Sequence, residues 1–256
     1  MKVVGNAPQE TSRRLTLAAY RYLADKGQLA EAREVLAAGG MRAPAALALS
    51  LARALMADAR FFEANGWFGL TEWKLPFPPE GEAVVVIDLE TTGPSPTEDE
   101  ITEVGAVKLN GDGKSEFVSL VYPGRPIPPY IQDLTGITDE MVAQAPPLAE
   151  VMADLAEFVG DSVLAIQNAP FDLSFLVPRL AKVGCSLYQP VLDTVHLARR
   201  ALRLPHCGLD ALAEYFELPK NGRHRALGDA RLTAEVLRQL YYIMCKGRQL
   251  RLAELR

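Results

Sequence analysis

The apolar positions in the last two thirds of the chain follow the pattern of an α/β fold. Residues 83–87 are an unbroken apolar run, which is typical of a strand buried on both faces. Two more strands are predicted at residues 101–109 and 116–122, joined by a tight turn at residues 110–113. Helices and short strands then alternate, with helices at residues 148–159, 170–183, 209–216 and 226–246 and one ending at residue 200, and short strands at residues 163–166 and 192–193. This order predicts a mixed sheet with helices on its faces.

The first 75 residues have a different pattern. Helices are predicted at residues 30–38, at residues 44–57, and from a cap at Thr11 or Ser12 to Lys26. An Asn-Gly pair at residues 65–66 then separates two aromatic-rich segments, which predicts a β-hairpin of residues 60–63 and 67–70. Three helices and a hairpin suggest a winged-helix-like module.

A Pro- and Gly-containing stretch separates the two patterns and has the composition of a linker. The charge also changes there. Residues 1–80 hold ten Lys or Arg and eight Asp or Glu, a net charge of +2, whereas residues 81–256 hold seventeen and twenty-four, a net charge of −7. We therefore predict a winged-helix-like domain at residues 1–75, a linker at 76–82 and an α/β domain at 83–256.

Composition excludes several classes of protein. With 49% hydrophobic and 23% charged residues, the chain resembles a globular protein rather than a disordered or fibrous one. No apolar run approaches the roughly 18 residues of a membrane helix, so we expect no membrane association. Three cysteines without a Cys-x-x-Cys pair argue against disulfides and a zinc site and indicate a cytoplasmic protein. The net charge of −5, taken alone, argues against a nucleic-acid partner.

Two carboxylates follow the buried apolar run. Asp88 and Glu90 are separated by one residue, so both side chains project from the same face of a strand. A hard divalent cation such as Mg²⁺ or Mn²⁺ would relieve their repulsion and prefers oxygen ligands. Because an Asp-x-Glu sequence is common, two solvated charges at a strand end are the alternative at this point.

Three further polar residues fall near predicted helix starts. Asp172 and Asp229 each lie in a first helical turn, where an Asp also simply favours the helix dipole. His224 precedes Asp229 by five residues, although a lone histidine is more often structural. Four carboxylates at one sheet edge would need cations, and two Mg²⁺ ions about 4 Å apart are a known arrangement for phosphodiester hydrolysis. With His224 as a general base, the spacing indicates a metal-dependent nuclease.

Residues 83–246 resemble the DnaQ-like exonucleases, also called DEDDh exonucleases, of the ribonuclease H-like fold. The matching motifs occur in family order: Val-Ile-Asp-Leu-Glu-Thr-Thr-Gly at residues 86–93, Asn-Ala-Pro-Phe-Asp at 168–172 and His-Arg-Ala-Leu-Gly-Asp-Ala at 224–230. Supporting matches lie at residues 101–105, 134–138 and 193–194. One departure is Gln167, where many relatives carry histidine.

The resemblance implies a role for each matching residue. The metal ligands, holding two Mg²⁺ ions for which Mn²⁺ would substitute, are Asp88, Glu90, Asp172 and Asp229. His224 would be the general base of the histidine subclass. The residues near the terminal nucleotide are Thr91, Leu134 and Phe171.

The implied activity is removal of nucleotides from DNA with a single-stranded or frayed 3′ end, in proofreading beside a DNA polymerase catalytic subunit or in repair. The alternatives are an exoribonuclease that trims RNA 3′ ends and a non-catalytic, polymerase-associated nucleic-acid-binding protein. An acidic domain is compatible with DNA because bound cations invert the sign of the site. Residues 45–53, the candidate recognition helix of the N-terminal module, include one basic residue, which favours partner docking or packing over duplex binding.

Overall fold

The computed structural model describes residues 7–40, 52, 55–64, 67–71, 76–111, 113–202, 204–245 and 249–255. The chain divides into two units. One comprises residues up to 77 together with 241–249, and the other comprises residues 78–240 together with those from 250 onward. The domain boundaries at residues 75 and 83 stay predictions.

The described residues before residue 72 form helices and a three-stranded antiparallel sheet. The elements are α1 (Ala7–Lys26), β1 (Ala30–Glu31), α2 (Ala32–Ala38), β2 (Phe61–Ala64) and β3 (Trp67–Leu70). The strand order is β1-β3-β2. Because β2 and β3 pair antiparallel from Phe61 with Leu70 to Ala64 with Trp67, the predicted hairpin is confirmed, with its first strand one residue later than predicted. The core of this part of the chain includes the buried side chains of Leu23, Leu36, Leu55 and Phe68.

Two predicted helix starts in this part of the chain are wrong. Helix α1 begins at Ala7 instead of Thr11 or Ser12, since the proline at its second position is compatible with a first helical turn. Helix α2 begins two residues later than predicted because Ala30 pairs with Phe68 of β3. The Asn-Gly turn, and all but a few residues of the helix predicted at 44–57, lie outside the described residues, so the winged-helix assignment stays a prediction.

The second unit is built on a mixed five-stranded sheet. Its strands are β4 (Ala83–Thr91), β5 (Ile101–Asn110), β6 (Gly113–Leu120), β7 (Val163–Ile166) and β8 (Val191–Asp193). In the order β6-β5-β4-β7-β8, the first three strands are antiparallel and the last three are parallel. This is the ribonuclease H-like arrangement, and it confirms the predicted fold class.

Strand β6 is shifted from its predicted bounds. It begins at Gly113, which pairs directly with Asn110 of β5. It ends at Leu120, and Tyr122 instead forms an isolated parallel bridge with Pro147. The pattern failed here because β6 lies at the sheet edge, where most of its side chains are exposed and little apolar alternation is required.

The α-helices of this unit are α3 (Pro129–Thr135), α4 (Asp139–Val142), α5 (Leu148–Val159), α6 (Ala169–Lys182), α7 (Thr194–Leu202), α8 (Leu209–Phe216) and the part of α9 (Ala226–Cys245) before residue 241, and a short 3-10 helix (Leu252–Leu255) also belongs to it. The bounds predicted for α5 and α8 are confirmed to the residue, and α6 is one residue earlier at each end. Helix α9 begins as predicted, and residue 246, its predicted end, lies outside the described residues.

Helices α3 and α4 were not predicted. They have seven and four residues, too few to show a helical period. Ile127, Ile131, Ile137 and Val142 form a small core of their own. The chain turns between the two helices at Gly136, whose φ of 69° is in the left-handed region that favours glycine.

Both faces of β4 are covered, which explains its unbroken apolar run. Val85, Ile87 and Leu89 pack into the core that includes α5 and α6. Val84 and Val86 point to the opposite face by the alternation of a strand and are also fully buried. Asp88 and Glu90 continue this second face at the end of the strand.

No helix among the described residues is both long and apolar enough to span a membrane.

Candidate active site

Asp88 and Glu90 lie at the carboxyl end of the central strand, as the sequence predicts. Asp88 is paired with Gly105 and Glu90 with Glu103, across from each other on β4 and β5. The start of α9 also approaches this face. A Cβ atom added to Gly105 would lie 2.2 Å from the carbonyl carbon of Ala226. Glycine at this position therefore lets the backbone of α9 reach the sheet directly opposite Asp88.

The approach of α9 brings a third carboxylate to the strand end. Asp229 lies in the first turn of α9 and is buried. One carboxylate oxygen from each of Asp88, Glu90 and Asp229 lies within 4.8 Å of the others. The structure thus brings together three of the four predicted metal ligands in one group.

Glu103 fixes the start of α9 against the sheet. Its side chain is buried and accepts hydrogen bonds from Nε of Arg225 at 3.1 Å, from Nη2 of Arg225 at 2.5 Å and from the backbone N–H of Ala226 at 2.8 Å. The last contact satisfies an N–H at the helix start, and the other two neutralise the buried carboxylate. Sequence reasoning missed this role, because the partners are more than a hundred residues apart.

Asp172, the fourth predicted ligand, lies beside this group. It is in the first turn of α6 and only 4% exposed. Asn168, which precedes α6, has a left-handed φ of 61°, so the chain turns sharply from β7 into the helix. Burial raises the pKa of Asp172, and hydrogen bonds from its own backbone and from the backbone of Leu89, the residue between Asp88 and Glu90, partly offset this rise. Asp172 is therefore adjacent to the end of β4, although it is not among the three carboxylates within 4.8 Å.

The carboxylates strongly perturb one another. Burial raises the pKa of Asp88 well above its usual range, and repulsion from Asp172 and Asp229 adds to the rise. Burial, followed by repulsion from Asp229, raises the pKa of Glu90 to about 8. Burial also raises the pKa of Asp172 to about 8. Burial and mutual repulsion thus disfavour the charged forms of these carboxylates, and the nearby Arg223 offsets the rise in the pKa of Asp88 and Glu90 only in part.

A divalent cation fits this site. All the donor atoms are carboxylate oxygens, which Mg²⁺ and Mn²⁺ prefer. A bound cation would stabilise the charged carboxylates that burial and repulsion otherwise disfavour.

His224 is held close to Asp229 through its backbone. Its N–H donates to Oδ2 of Asp229 at 3.3 Å. Its φ of 59° is left-handed, which is uncommon for a residue other than glycine and costs about 1–3 kcal/mol. The approach of Gly222 to Gly228 supports this conformation, because a Cβ atom on Gly228 would lie only 1.8 Å from the carbonyl oxygen of Gly222. The loop before α9 thus folds back onto the helix and carries His224 with it.

Arg223 is a charged neighbour that the sequence analysis did not single out. Its guanidinium forms ion pairs with Asp229 and, at 3.0 Å, with Asp210. Burial opposes the charged form of Arg223, but hydrogen bonds to Asp210 and Asp229 outweigh it and raise the pKa of Arg223. Arg223 also offsets part of the rise in the pKa of Glu90 that burial and Asp229 cause. It is therefore a cation of the protein itself beside the carboxylate group.

The three residues predicted near the terminal nucleotide lie in different surroundings. The Thr91 hydroxyl is buried and donates to the carbonyl oxygen of Gly93 at 2.7 Å. Phe171 is half-buried, with its ring centroid 5.2 Å from that of Phe175. Leu134 is 52% exposed on α3. Of the three, only Leu134 presents a largely exposed apolar side chain.

Arg179 fixes the loop that follows β4, another role that sequence reasoning missed. Its side chain is buried, and Nη2 donates to the carbonyl oxygen of Asp99 at 2.7 Å and to Glu100 at 3.0 Å. The guanidinium also lies 4.9 Å from the ring centroid of Phe175. Within the loop, the Asp99 carboxylate accepts from Thr92 and from the backbone of Ser95. The loop that follows the strand end carrying Asp88 is therefore held in place by these hydrogen bonds.

Gln167 has a structural role at the position where the family motif differs. Its Nε2 donates to the carbonyl oxygen of Cys207 at 2.8 Å, and its Oε1 accepts from the Thr194 hydroxyl. One neutral amide thus joins the end of β7 to the start of α7 and to the segment before α8.

A ribonuclease H-like sheet with carboxylates gathered at the end of its central strand is the arrangement expected of a DnaQ-like exonuclease. The family model RNase T, described as "Exonuclease", matches residues 85–237, which is more than half of the chain. The chain therefore belongs to this exonuclease family, and the resemblance found in the sequence is confirmed.

Individual relatives agree with the family. The chain is 44% identical over 159 residues to a "DNA polymerase III PolC-type" of Caldanaerobacter subterraneus subsp. tengcongensis, covering 61% of this chain and 11% of the relative. It is 43% identical over 171 residues to a "DNA polymerase III subunit epsilon-like protein" of Rhodobacter capsulatus, covering 64% of this chain and 24% of the relative. The chain thus spans between about a tenth and a quarter of these two relatives.

A solved structure matches over nearly its full length. Exonuclease X, in complex with 5′-overhanging duplex DNA, is 26% identical with a TM-score of 0.54, and the match covers 67% of this chain and 98% of that one. The similarity supports the fold and the exonuclease class together.

Proposed function

We propose that residues 83–256 form a 3′–5′ exonuclease that hydrolyses DNA from its 3′ end with two divalent metal ions. Mg²⁺ would be the physiological ion, and Mn²⁺ would substitute for it. The observation that carries the proposal is the grouping of Asp88, Glu90 and Asp229 within 4.8 Å at the strand end of an exonuclease-family fold.

Each residue of the site has its own role in the mechanism proposed for the histidine subclass. Asp88, Glu90 and Asp229 would hold the cations, and Asp172 would complete the ligand set. When bound, two such cations supply an activated water and stabilise the leaving oxygen. His224 would accept the proton from the attacking water as a general base.

DNA with a single-stranded or frayed 3′ end is the proposed substrate. Exonuclease X, bound to 5′-overhanging duplex DNA in its structure, supports DNA over RNA. Leu134, with its exposed side chain, offers an apolar surface for a splayed base, and Phe171 and Thr91 would complete the nucleotide site.

The biological role proposed here is proofreading or DNA repair, with a DNA polymerase catalytic subunit as a partner. Relatives named as DNA polymerase III PolC-type and epsilon-like proteins support it.

We also propose that residues 1–75 are a separate winged-helix-like module that docks a partner and that residues 76–82 link it to the exonuclease domain. The three cysteines are free thiols, which supports a cytoplasmic location.

The activity is tested with a 5′-labelled single-stranded DNA in Mg²⁺. The wild-type protein should shorten it stepwise from the 3′ end. Asp88→Ala should abolish shortening while leaving the circular dichroism spectrum unchanged. Asp154→Ala removes a carboxylate that is exposed on α5 and serves as the matched control with wild-type activity. Full activity of Asp88→Ala, or full activity in EDTA, would contradict the proposed mechanism.

The substrate class is tested by digesting three 3′ ends in parallel: a matched DNA primer, a mismatched DNA primer and an RNA oligomer. Faster digestion of the mismatched primer supports proofreading. Preference for the RNA oligomer would replace the proposal with an RNA-trimming function, and tight binding without cleavage would indicate a non-catalytic binding protein.

A further inference from the structure

Arg223 connects the carboxylate group with a second carboxylate outside it. Its Nη1 forms an ion pair with Oδ1 of Asp229. Its Nε and Nη2 donate to the two oxygens of Asp210 at 3.0 and 3.2 Å. The side chain of Asp229 is 9% exposed and that of Asp210 is 57% exposed. One guanidinium thus bridges a buried carboxylate of the site and an exposed carboxylate at the start of α8.

Asp229 is engaged at both of its oxygens in this arrangement. Oδ1 contacts Arg223, and Oδ2 accepts from the backbone N–H of His224. The guanidinium charge beside Oδ1 repels a metal ion that approaches Asp229. A cation that takes Asp229 as a ligand therefore competes with Arg223 for this carboxylate, and its binding favours movement of Arg223 away from Oδ1.

Asp210 lowers the free-energy cost of moving Arg223 away from Asp229. It holds Arg223 through two hydrogen bonds that do not involve Asp229, so the guanidinium keeps a charged partner after it leaves the site. Lys220 lies 3.6 Å from the same carboxylate, so Asp210 already stands among positive charges.

We propose that Arg223 is a positioning residue that competes with a divalent cation for Asp229, and that Asp210 retains its guanidinium when the cation binds. Without metal, Arg223 supplies the positive charge that keeps buried carboxylates together. With metal, Asp210 keeps Arg223 away from the ligand oxygen. The balance between the two contacts sets the cation affinity of the site. This inference rests on the proposed metal-dependent function.

The test is Mn²⁺ affinity, measured by isothermal titration calorimetry on the full chain. Arg223→Gln should bind Mn²⁺ about tenfold more tightly than wild type, the factor equivalent to one lost charge-assisted hydrogen bond. Asp210→Asn should bind it more weakly, because Arg223 then has only Asp229 as its charged partner. The double variant should match Arg223→Gln, since Asp210 acts through Arg223.

Arg231→Gln is the matched control for the change in charge. Arg231 lies on the same helix as Asp229 but pairs with Glu116 of the edge strand. The Arg231→Gln variant should bind Mn²⁺ with wild-type affinity. An equal shift in Arg231→Gln would mean that net charge alone causes the effect.

A second readout is the unfolding temperature with and without Mn²⁺. Arg223→Gln should lose stability in EDTA and gain more than wild type on adding Mn²⁺, which a purely structural role of Arg223 would not produce. The inference fails if Arg223→Gln binds Mn²⁺ no better than wild type. It also fails if Asp210→Asn weakens Mn²⁺ binding in the Arg223→Gln background as much as it does in the wild-type chain. If the wild-type chain itself binds no Mn²⁺, the proposed function fails as well. Asp210→Asn, which retains Arg223, keeps the test decisive if Arg223→Gln folds poorly in EDTA.

Discussion

Replacing Gly105 by alanine should displace the start of α9 and with it one metal ligand. The new Cβ would lie 2.2 Å from the carbonyl carbon of Ala226 and from the nitrogen of Leu227, whereas ordinary contact begins at 3.4 Å. The backbone of α9 must therefore move by about 1.2 Å, since neither atom belongs to a flexible side chain. Asp229 follows three residues after Ala226 and would move away from Asp88.

We expect Gly105→Ala to lower the free energy of unfolding by about 3 kcal/mol, at the upper end for an overpacked site because backbone meets backbone. We expect Mn²⁺ affinity to fall by at least about tenfold, since a misplacement of about 1 Å is enough to disrupt a catalytic constellation. Urea denaturation and calorimetric Mn²⁺ titration measure the two effects.

The control for this substitution is Gly208→Ala. Gly208 is exposed, has an ordinary φ of −66° and has open space where a Cβ would lie. It should leave Mn²⁺ affinity unchanged and lower the free energy of unfolding by only about 1 kcal/mol, since Gly208 is the N-cap of α8, where alanine is less favourable than glycine. Wild-type Mn²⁺ affinity in Gly105→Ala would refute the argument that the contact between Gly105 and α9 positions Asp229.

Three further predictions concern the surroundings of the site. Glu103→Ala leaves Arg225 and the start of α9 without their buried partner, and urea denaturation should show a loss of about 3 kcal/mol; an unchanged midpoint would contradict the role of this pair. Arg179→Met keeps an apolar stem but removes the hydrogen bonds to the loop after β4, so hydrogen exchange should become faster at residues 92–100 than in wild type, and unchanged exchange would argue against the brace. Because the pKa values of Glu90 and Asp172 are raised to about 8, the folded metal-free protein binds more protons than the unfolded chain between their usual values and about pH 8. Its stability should therefore fall as pH rises through this range, and an unfolding temperature in EDTA that rises with pH would contradict the shifts.

The central strand and its carboxylates could be predicted from the sequence because their signals are local. A strand buried on both faces requires a continuous apolar run, and alternation places Asp88 and Glu90 on one side of it. Helix α5 was predicted to the residue for a similar reason, since its buried Val151, Met152 and Leu155 recur at helical spacing. The family motifs then connected distant residues that no local pattern joins.

The parts that escaped prediction depend on contacts between distant segments. Glu103 contacts Arg225 across 122 positions, and Gly105 is needed only because α9 packs against β5. Arg223 has no local signal either, because its partners Asp210 and Asp229 become neighbours only in the fold. The bounds of edge strand β6 and the existence of the short helices α3 and α4 were missed for a different reason. Exposure of β6 and the shortness of α3 and α4 leave too little periodic pattern in the sequence.

The central claim is that the carboxylates at the end of β4 hold two divalent cations. Its most direct test is the stoichiometry of Mn²⁺ binding to the full chain, followed by the loss of free Mn²⁺ signal in electron paramagnetic resonance. We predict two ions per wild-type chain and fewer in Asp229→Asn. A wild-type chain that binds no Mn²⁺, or an Asp229→Asn variant that still binds two ions with wild-type affinity, would contradict the claim.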